Sequence, residues 1–406
     1  MTILILNSGS SSLSFKIFEV GRAGEPKAVL SGKANRVNVR GTEPSSLEIM
    51  QEGQTRIVTV PIASHAQAAR LILDEIRGMG IVVDAAGHRF VHGGDFFHGP
   101  AFVTDATMAD LVRCLPLAPN HNPNALSIIR ECSRHLKDTP QFVSFDSAFH
   151  STIPRYASAY ALPRRIVERF GFRKFGFHGL SYAYVTRALQ SYLGRPLRGT
   201  KLVACHLGTG GSSVAAIRDG RSLDTSMGYT PLPGLVMSTR CGDIDPALSI
   251  YLMETFGYRP DAVMDLLSKQ SGLLGLSGFS SDIRDIAGRL AEGEGTQSAL
   301  AFRMYVHRLK KHIGNCVVQL GGIDILVFTD DIGVKDPFVR EKVCENMRWC
   351  GVELDERRDR EASPDRIATL SSDRSAVLVL SIPTNEELMI CLEGAQLIKE
   401  HDDHPH

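Results

Sequence analysis

The chain has no excess of either charge: 45 Lys and Arg balance 45 Asp and Glu among 406 residues. That balance argues against nucleic acid or a membrane surface as the main partner, a local basic cleft aside. No apolar run approaches the length needed to span a bilayer. The first residues run into a strand-like segment with no basic-then-apolar leader. No Cys-x-x-Cys pair occurs, and the eight cysteines are scattered without metal-ligand spacing. Free thiols in a reducing, cytoplasmic setting are the expectation. There is no Walker A sequence and no His-Arg-Asp or Asp-Phe-Gly set, so neither of those phosphoryl-transfer classes applies. Low complexity is absent except in the polar tail at 401–406, whose histidines are a candidate for metal. Apolar content of 43% and charged content of 22% are ordinary, and the length suffices for two domains with a large core.

What is present is a repeated turn. Asn7-Ser8-Gly9-Ser10-Ser11-Ser12 lies between apolar residues 2–6 and the alternating segment 13–17. Leu207-Gly208-Thr209-Gly210-Gly211-Ser212-Ser213 lies between residues 202–204 and 214–217. A strand, a Gly/Ser turn and a strand, twice, suggest a duplicated domain with a phosphate-holding hairpin in each half. Small residues let backbone N–H groups approach an anion, and hydroxyls add donors. The plainer alternative is two tight hairpins in which Gly and Ser only make the turn.

Short polar-alternating strands are expected up to Val60, after a Gly/Pro loop at 21–26. Ser64 is placed to cap a helix with Ala68, Leu71, Ile72 and Ile76 on one face, ended by Gly78 and Gly80. Residues 81–86 read as a buried strand, with 87–94 as the loop at its C-terminal end, where ligand loops of open α/β sheets lie. Helices are expected at 163–170, at 181–193 with Ser181 as cap, and at 296–320, stopped by Gly321-Gly322. A buried strand at 325–328 runs into a loop at 329–333. A strand at 377–382 precedes a last helix capped by Asn385. Strands and helices repeated in this way argue for two α/β domains facing one cleft.

Several loops carry candidate chemistry. Arg89 sits among glycines, and a guanidinium there suits a carboxylate or phosphate; pairing with a structural acid is the alternative. Pro119 and Pro123 stiffen the loop around His121. Asp146 is one acid in an apolar strand end, and a buried carboxylate needs a partner or a role. Residues 173–179 and 239–246 add Arg, Lys, His and Asp, which singly would suit surface ion networks. Gly-flanked Arg and His loops together with two anion-holding turns suggest phosphoryl transfer, whose demand is for charge at three equatorial oxygens.

The same residues carry a resemblance. The sequence resembles the acetate/propionate kinase family over almost its whole length, in order and at the family's spacing. The matching stretches are NSGSSSL (7–13), GHRFVHGG (87–94), LAPNHNP (117–123), FDSAFH (145–150), RKFGFHG (173–179), HLGTGGS (206–212), DTSMGYTPLPGL (224–235), TRCGDIDP (239–246), SGLLGLSGFSSDIRD (271–285) and IPTNEEL (382–388). The resemblance implies an α/β fold of duplicated ribonuclease H-like domains, the actin/Hsp70/sugar kinase plan, facing a central cleft. The N-terminal domain would span 1–150, completed by 385–406, and the C-terminal nucleotide-binding domain 151–384. It further implies reversible, Mg²⁺-dependent transfer (Mn²⁺ as substitute) of the ATP γ-phosphate to acetate, giving acetyl phosphate and ADP. A cytoplasmic homodimer with no nucleic-acid or membrane partner is implied too.

Residue by residue, the resemblance assigns Asn7 and Glu386 to Mg²⁺, largely through water. Arg89 and Arg240 would hold the acid's carboxylate and the transferring phosphoryl, with Asp146 orienting Arg89 or the metal waters. His178 would donate to the equatorial oxygens. Ser12, His206, Gly208, Thr209 and Gly210 would contact phosphate, and His121 would line its path. Asp282, Ile283 and Arg284 would flank the adenosine, with Asp331, Ile332, Gly333 and Lys335 beneath it. Val91, Asn120, Phe177 and Pro231 would wall the acid's methyl group, a wall worth ~1–3 kcal/mol of discrimination per methylene.

The chain departs from the family pattern at named positions. The nucleotide loop, usually Gly-Ile-Gly-Glu-Asn, reads Asp331-Ile332-Gly333-Val334-Lys335 after a further acid, Asp330. Asp331 brings negative charge near a polyanion, and Lys335 stands where it can offset that charge. Thr209 replaces an asparagine. Ser14 replaces a lysine, with Lys16 two positions on, and Tyr182 replaces a histidine. Asn120 stands where an apolar residue closes the acid pocket. Three readings follow: an ATP-dependent acetate kinase; the same fold acting on propionate or a small polar acid, or using pyrophosphate as donor; and a catalytically weak homologue acting as a sensor or interaction protein.

Overall fold

The computed structural model describes residues 1–21, 25–39 and 43–403. Residues 22–24 of the expected 21–26 loop, and 404–406 of the tail, lie outside the described residues. The chain divides into two compact units, Met1–Phe149 with Asn385–His406, and His150–Thr384.

The first unit is built on an eight-stranded sheet of β1 (Thr2–Ser8), β2 (Ser12–Glu19), β3 (Lys27–Asn35), β4 (Ser46–Gln51), β5 (Gln54–Thr59), β6 (Ala85–Phe90), β7 (Ala101–Phe102) and β8 (Gln141–Phe145). Its order is β5-β4-β3-β2-β1-β6-β8-β7. β1 and β2 form the first Gly/Ser hairpin, with Leu6 opposite Phe15, and β1 then pairs in parallel with β6. Alternation in β2 buries Leu13, Phe15 and Ile17 while Ser14 and Lys16 stay partly exposed. The buried set packs against Ala68, Ala69, Ile72, Leu73 and Ile76 of the helix His65–Gly78. Ser64 caps that helix, its hydroxyl accepting from Gln67 N.

The second unit holds a six-stranded sheet of β9 (Lys201–Leu207), β10 (Ser212–Arg218), β11 (Arg221–Thr225), β12 (Ile325–Thr329), β13 (Ala368–Thr369) and β14 (Leu378–Ile382). Its order is β11-β10-β9-β12-β14-β13. β9 and β10 are antiparallel, and β9, β12 and β14 are parallel. Thus β3-β2-β1-β6-β8 and β11-β10-β9-β12-β14 repeat one plan: a hairpin extended by a third antiparallel strand, then two parallel strands. The duplication suggested by the two turns is present in the topology. The long helix Gln297–Leu320 covers the second sheet with Phe302, Leu309, Ile313, Cys316, Val317 and Leu320. Thr296 caps its start, and Gly321, at φ 65°, ends it in the left-handed conformation only glycine adopts freely.

Four local expectations are corrected. The strand expected at 81–86 is β6, Ala85–Phe90, so Gly87 and Arg89 lie within a strand rather than a loop. Gly87 is there because a Cβ would sit 2.8 Å from Ile5 Cδ1 and against the Phe142 ring. The helix expected from Ser181 is Gly179–Leu193, with His178 at its N-cap at φ 59°. The Ser181 hydroxyl is turned to His206 instead, 2.9 Å from Nδ1. The loop around His121 ends at that residue, since Asn122–His135 is helical with Pro123 in its first turn. The loop expected after β12 is a short helix, Asp330–Lys335, whose first turn carries both acids, the favourable end for negative charge. Asp330 itself is left-handed, at φ 66°.

Candidate active site

In the first unit three neighbouring parallel strands end on the same edge. Asn7 is near the end of β1, Arg89 near the end of β6, and Asp146 directly follows β8. The Asp146 carboxylate accepts two hydrogen bonds from Arg89, 2.9 Å from Nε and 2.6 Å from Nη2. Asn7 Oδ1 accepts from Arg89 Nη1 at 3.1 Å. The last helix, Glu386–Asp403, delivers Glu386 Oε2 to 3.5 Å from the same guanidinium. Asn385 caps that helix through Leu388 N. Burial works against the Arg89 charge, but the Asp146 and Glu386 carboxylates outweigh it and raise its pKa.

Glu387, beside Glu386, closes the network. Its Oε1 accepts from Asn7 Nδ2 at 3.0 Å and its Oε2 pairs with Lys16 at 3.3 Å. Burial would raise its pKa, yet Lys16 and Asn7 hold it below the usual carboxylate range. Lys16 therefore supplies the cation that Ser14 lacks. The first Gly/Ser turn is fixed by Gly9 N donating to Ser12 O at 2.9 Å and by His65, whose Nε2 donates to Gly9 O at 3.0 Å. Val91 is buried and Asn120 is exposed. His88, driven down to about 4 by burial, is neutral and bonded to Gln141, and His92 Nδ1 accepts from Gly94 N. Those two histidines of the Arg89 segment serve the backbone and core.

In the second unit the turn between β9 and β10 is closed by Gly208 N donating to Gly211 O at 3.1 Å. Arg240 braces it, Nη2 donating to Gly210 O at 2.9 Å and Nη1 to Pro231 O at 2.8 Å. Gly211 leaves room for that approach, since a Cβ there would lie 2.8 Å from Arg240 Nη2 and push the guanidinium aside. Arg240 thus meets carbonyls rather than a carboxylate, and burial alone pulls its pKa down. A partly buried guanidinium in that state favours an incoming anion.

His178 lies over His206, ring centroids 4.0 Å apart. Its Nδ1 is 2.8 Å from Ser213 Oγ, and Tyr182 Oη is 2.6 Å from the same oxygen. His206 Nε2 faces Asp330 Oδ2 at 3.0 Å, so that nitrogen carries the proton. Phe177 is buried and its carbonyl accepts from His150 Nε2 at 2.9 Å. The acids of 239–246 are structural: Asp243 accepts from Gly234 N and pairs with His312, and Asp245 caps the helix Pro246–Glu254.

The nucleotide-side residues form a chain of ion pairs. Arg284 Nη2 is 2.6 Å from Asp282 Oδ2 and Arg284 Nη1 is 3.4 Å from Asp331 Oδ2. Lys335 Nζ is 2.7 Å from Asp331 Oδ1. Hydrogen bonding to Arg284 holds Asp282 below the usual range. These partly exposed pairs add only ~0–1 kcal/mol each. Beneath them Ile283 and Ile332 are 2% exposed, and their burial, worth ~1.5–3 kcal/mol each, dominates the packing. Gly208, Thr209, Asp282, Ile283 and Ile332 border a cavity of about 10 Å³, room for a single water.

Among the described residues no three His, Cys, Asp or Glu side chains converge as a metal group. Asn7 Nδ2 donates to Glu386 Oε2 at 3.4 Å and Asn7 Oδ1 faces Arg89, so the Glu386 carboxylate is the oxygen of the pair suited to Mg²⁺, which keeps most of its waters and takes one or two protein oxygens.

The profile of the Acetokinase family matches residues 2–392. The chain belongs to that family. It is 41% identical to an acetate kinase of Caldicellulosiruptor saccharolyticus, over 98% of this chain and all of that one. The solved acetate kinase of Entamoeba histolytica is 40% identical, with a TM-score of 0.89 over 98% of this chain and all of that one. That of Porphyromonas gingivalis is 34% identical, with a TM-score of 0.88 over 98% and 99% of the two chains. The Acetokinase fold therefore holds from end to end, and the two-sheet α/β plan is the family's own. The positions that sequence reasoning missed are Ser213, Ser181, His65 and Glu387. Glu387 alone carried a signal, as the second acid of the family's Asn-Glu-Glu stretch.

Proposed function

We propose that this protein is an acetate kinase, transferring a phosphoryl group reversibly between a phosphate donor and the carboxylate of acetate. Its relatives at about 40% identity bear that name, and ATP/ADP is the donor pair their family implies. The observation that carries the reading is Arg240, a partly buried guanidinium that donates to the carbonyls of Gly210 and Pro231 beside a glycine-rich turn.

Each unit contributes named parts. Arg89, held in plane by Asp146, presents its positive charge to the acid's carboxylate. Val91, Phe177 and Pro231 present apolar surface to its methyl group, with Asn120 at the polar rim. Arg240 takes charge on the transferring phosphoryl, and His178 donates to an equatorial oxygen. Ser12, His206, Gly208, Thr209 and Gly210 hold the donor's phosphates, and Asp282, Ile283, Arg284, Asp331, Ile332, Gly333 and Lys335 form the nucleotide side. Asn7 and Glu386 would hold Mg²⁺ through its waters, and the ion would supply positive charge against the phosphates. One preorganised donor contributes ~3–4 kcal/mol to the transition state. Acetate is ionised at pH 7, as carboxyls near pKa 4 are, so no general base is needed and transfer is direct and in line. The two units serve as the two domains. A cytoplasmic homodimer completes the reading; among the described residues no helix is long and apolar enough to cross a membrane.

Acetyl phosphate formation from acetate and Mg²⁺, with ATP and separately with pyrophosphate, is the test. Product with either donor supports the reading, and no product with either removes it.

A further inference from the structure

His178 has a backbone that is costly to hold. Its φ of 59° and ψ of 24° are left-handed, a region that a residue with a Cβ avoids. It stands at the start of the helix Gly179–Leu193, with no side-chain cap. Conformations of this kind persist only where the surroundings over-determine them. Ser213, 2.8 Å from Nδ1, orients the ring but not the backbone.

The backbone is gripped by His150, a fully buried residue in the short 3-10 segment Ala148–Thr152. Its Nε2 is 2.9 Å from Phe177 O, the carbonyl of the peptide that joins Phe177 to His178. A carbonyl only accepts, so Nε2 carries a proton. Burial favours the neutral ring, whose Nδ1 accepts from Ser222 Oγ at 2.8 Å. Ser222 lies buried in β11 and is tied to the same segment a second time, its carbonyl accepting from Thr152 Oγ1 at 2.8 Å. The two ring nitrogens thus bridge β11 and the peptide before His178. The ring surface is used as well. Gly176, at φ 76°, lies against it, and a Cβ there would be 2.7 Å from His150 Cδ2. Phe175 N and Gly176 N both donate to Gly228 O at 3.1 Å. The segment 175–177 is clamped by Gly228 at one end and by His150 at the other, and the chain turns left-handed at the next residue.

We propose that His150 is a positioning residue for phosphoryl transfer: its Nε2–H holds the Phe177 carbonyl so that His178 keeps its left-handed backbone and its imidazole meets the transferring phosphoryl. The inference rests on the role given to His178 in the acetate kinase reading above. His150 itself touches no reactant and exchanges no proton in the reaction.

The experiment is steady-state kinetics of acetyl phosphate formation by the full chain with Mg²⁺, ATP and acetate. His150→Leu, which fills the space without a donor, is expected to lower kcat roughly tenfold, with KM for acetate within about threefold. His150→Gln, whose amide nitrogen reaches the Nε2 position, is expected to recover kcat to within about threefold of the parent. His150→Asn, one bond shorter, is expected to stay low, and this pair decides the matter if the Leu variant is poorly folded by circular dichroism. Added to His178→Ala, His150→Leu is expected to change kcat by less than about twofold, since the ring it positions is gone. A merely structural role would give the same loss in both backgrounds, and that result overturns the inference. So does a folded His150→Leu at the parent's kcat, or a Gln variant no better than Asn. A His178→Ala variant at the parent's kcat removes His178 from the chemistry and this inference with it, while the acetate kinase reading stands. A parent that forms no acetyl phosphate removes the underlying reading instead.

Discussion

Tyr182 and His178 share one hydroxyl: Ser213 Oγ lies 2.6 Å from Tyr182 Oη and 2.8 Å from His178 Nδ1. Tyr182 is fully buried, and burial raises its pKa well above the ordinary value, so it acts as a neutral phenol. It fixes Ser213, and Ser213 fixes the imidazole, making Tyr182 a positioning residue. One such hydrogen bond is worth ~1 kcal/mol. Tyr182→Phe is therefore expected to lower kcat roughly fivefold while KM for acetate stays within twofold. Steady-state kinetics check the split; a change confined to KM would place Tyr182 outside this chain.

The two arginines separate by stability. Arg89→Ala leaves Asp146 buried without its cation, which costs ~3–5 kcal/mol, and adding Asp146→Asn recovers much of that. Arg240→Ala removes a partly buried cation that meets no acid among the described residues, so its melting temperature stays at or above the parent's. Both lose ~100–1,000-fold in kcat. Thermal melts and turnover on the same samples decide it. Activity within threefold of the parent in either single variant would take that arginine out of the mechanism.

Glu386→Ala is expected to raise the Mg²⁺ concentration giving half-maximal activity, with a smaller change in KM for acetate. The basis is the 3.4 Å approach of Glu386 to Asn7 at the helix start. A magnesium titration at fixed donor and acetate measures it, and an unchanged requirement would move the metal elsewhere.

Glu393, seven residues after Glu386 on the same helix face, has its pKa pushed up to about 7 by burial, with the Asp146 charge adding. The unfolded carboxyl titrates near 4.5, so the unfolded state ionises first as pH rises. This group's contribution to stability falls between about pH 4.5 and 7 and is level above that. Glu393→Gln lacks the fall, so its stability relative to the parent grows from pH 5 to pH 8. Denaturant melts at both pH values give the comparison; a constant difference would leave Glu393 with an ordinary pKa in the fold.

Much of this arrangement is legible in the amino-acid order, for local reasons. Ser64, Thr296 and Asn385 cap the helices they precede. Asp146 stands out as an acid at the end of an apolar strand, Asn7 at a Gly/Ser turn and Arg89 among glycines, although the segment of Arg89 is strand rather than loop. Contacts between distant residues are not legible. Lys16 gains its meaning from Glu387 and Ser213 from His178, neither a neighbour in sequence. Gly87 reads as a loop glycine until the Phe142 ring is seen against it. Ser181 reads as a cap until His206 takes its hydroxyl. The ion pairs of Asp331 with Lys335 and Arg284 combine one local contact with one distant one, and only the first could be anticipated.

Phosphoryl transfer to acetate is tested most directly in reverse. The full-length protein would be followed by phosphorus NMR with acetyl phosphate and Mg²⁺, plus ADP in one tube and orthophosphate in another. The expected result is loss of the acetyl phosphate signal matched by ATP in the first tube or pyrophosphate in the second, with nothing in either tube once Arg240 is alanine. Acetyl phosphate decaying in both tubes to orthophosphate alone, at the rate seen without protein, would contradict it.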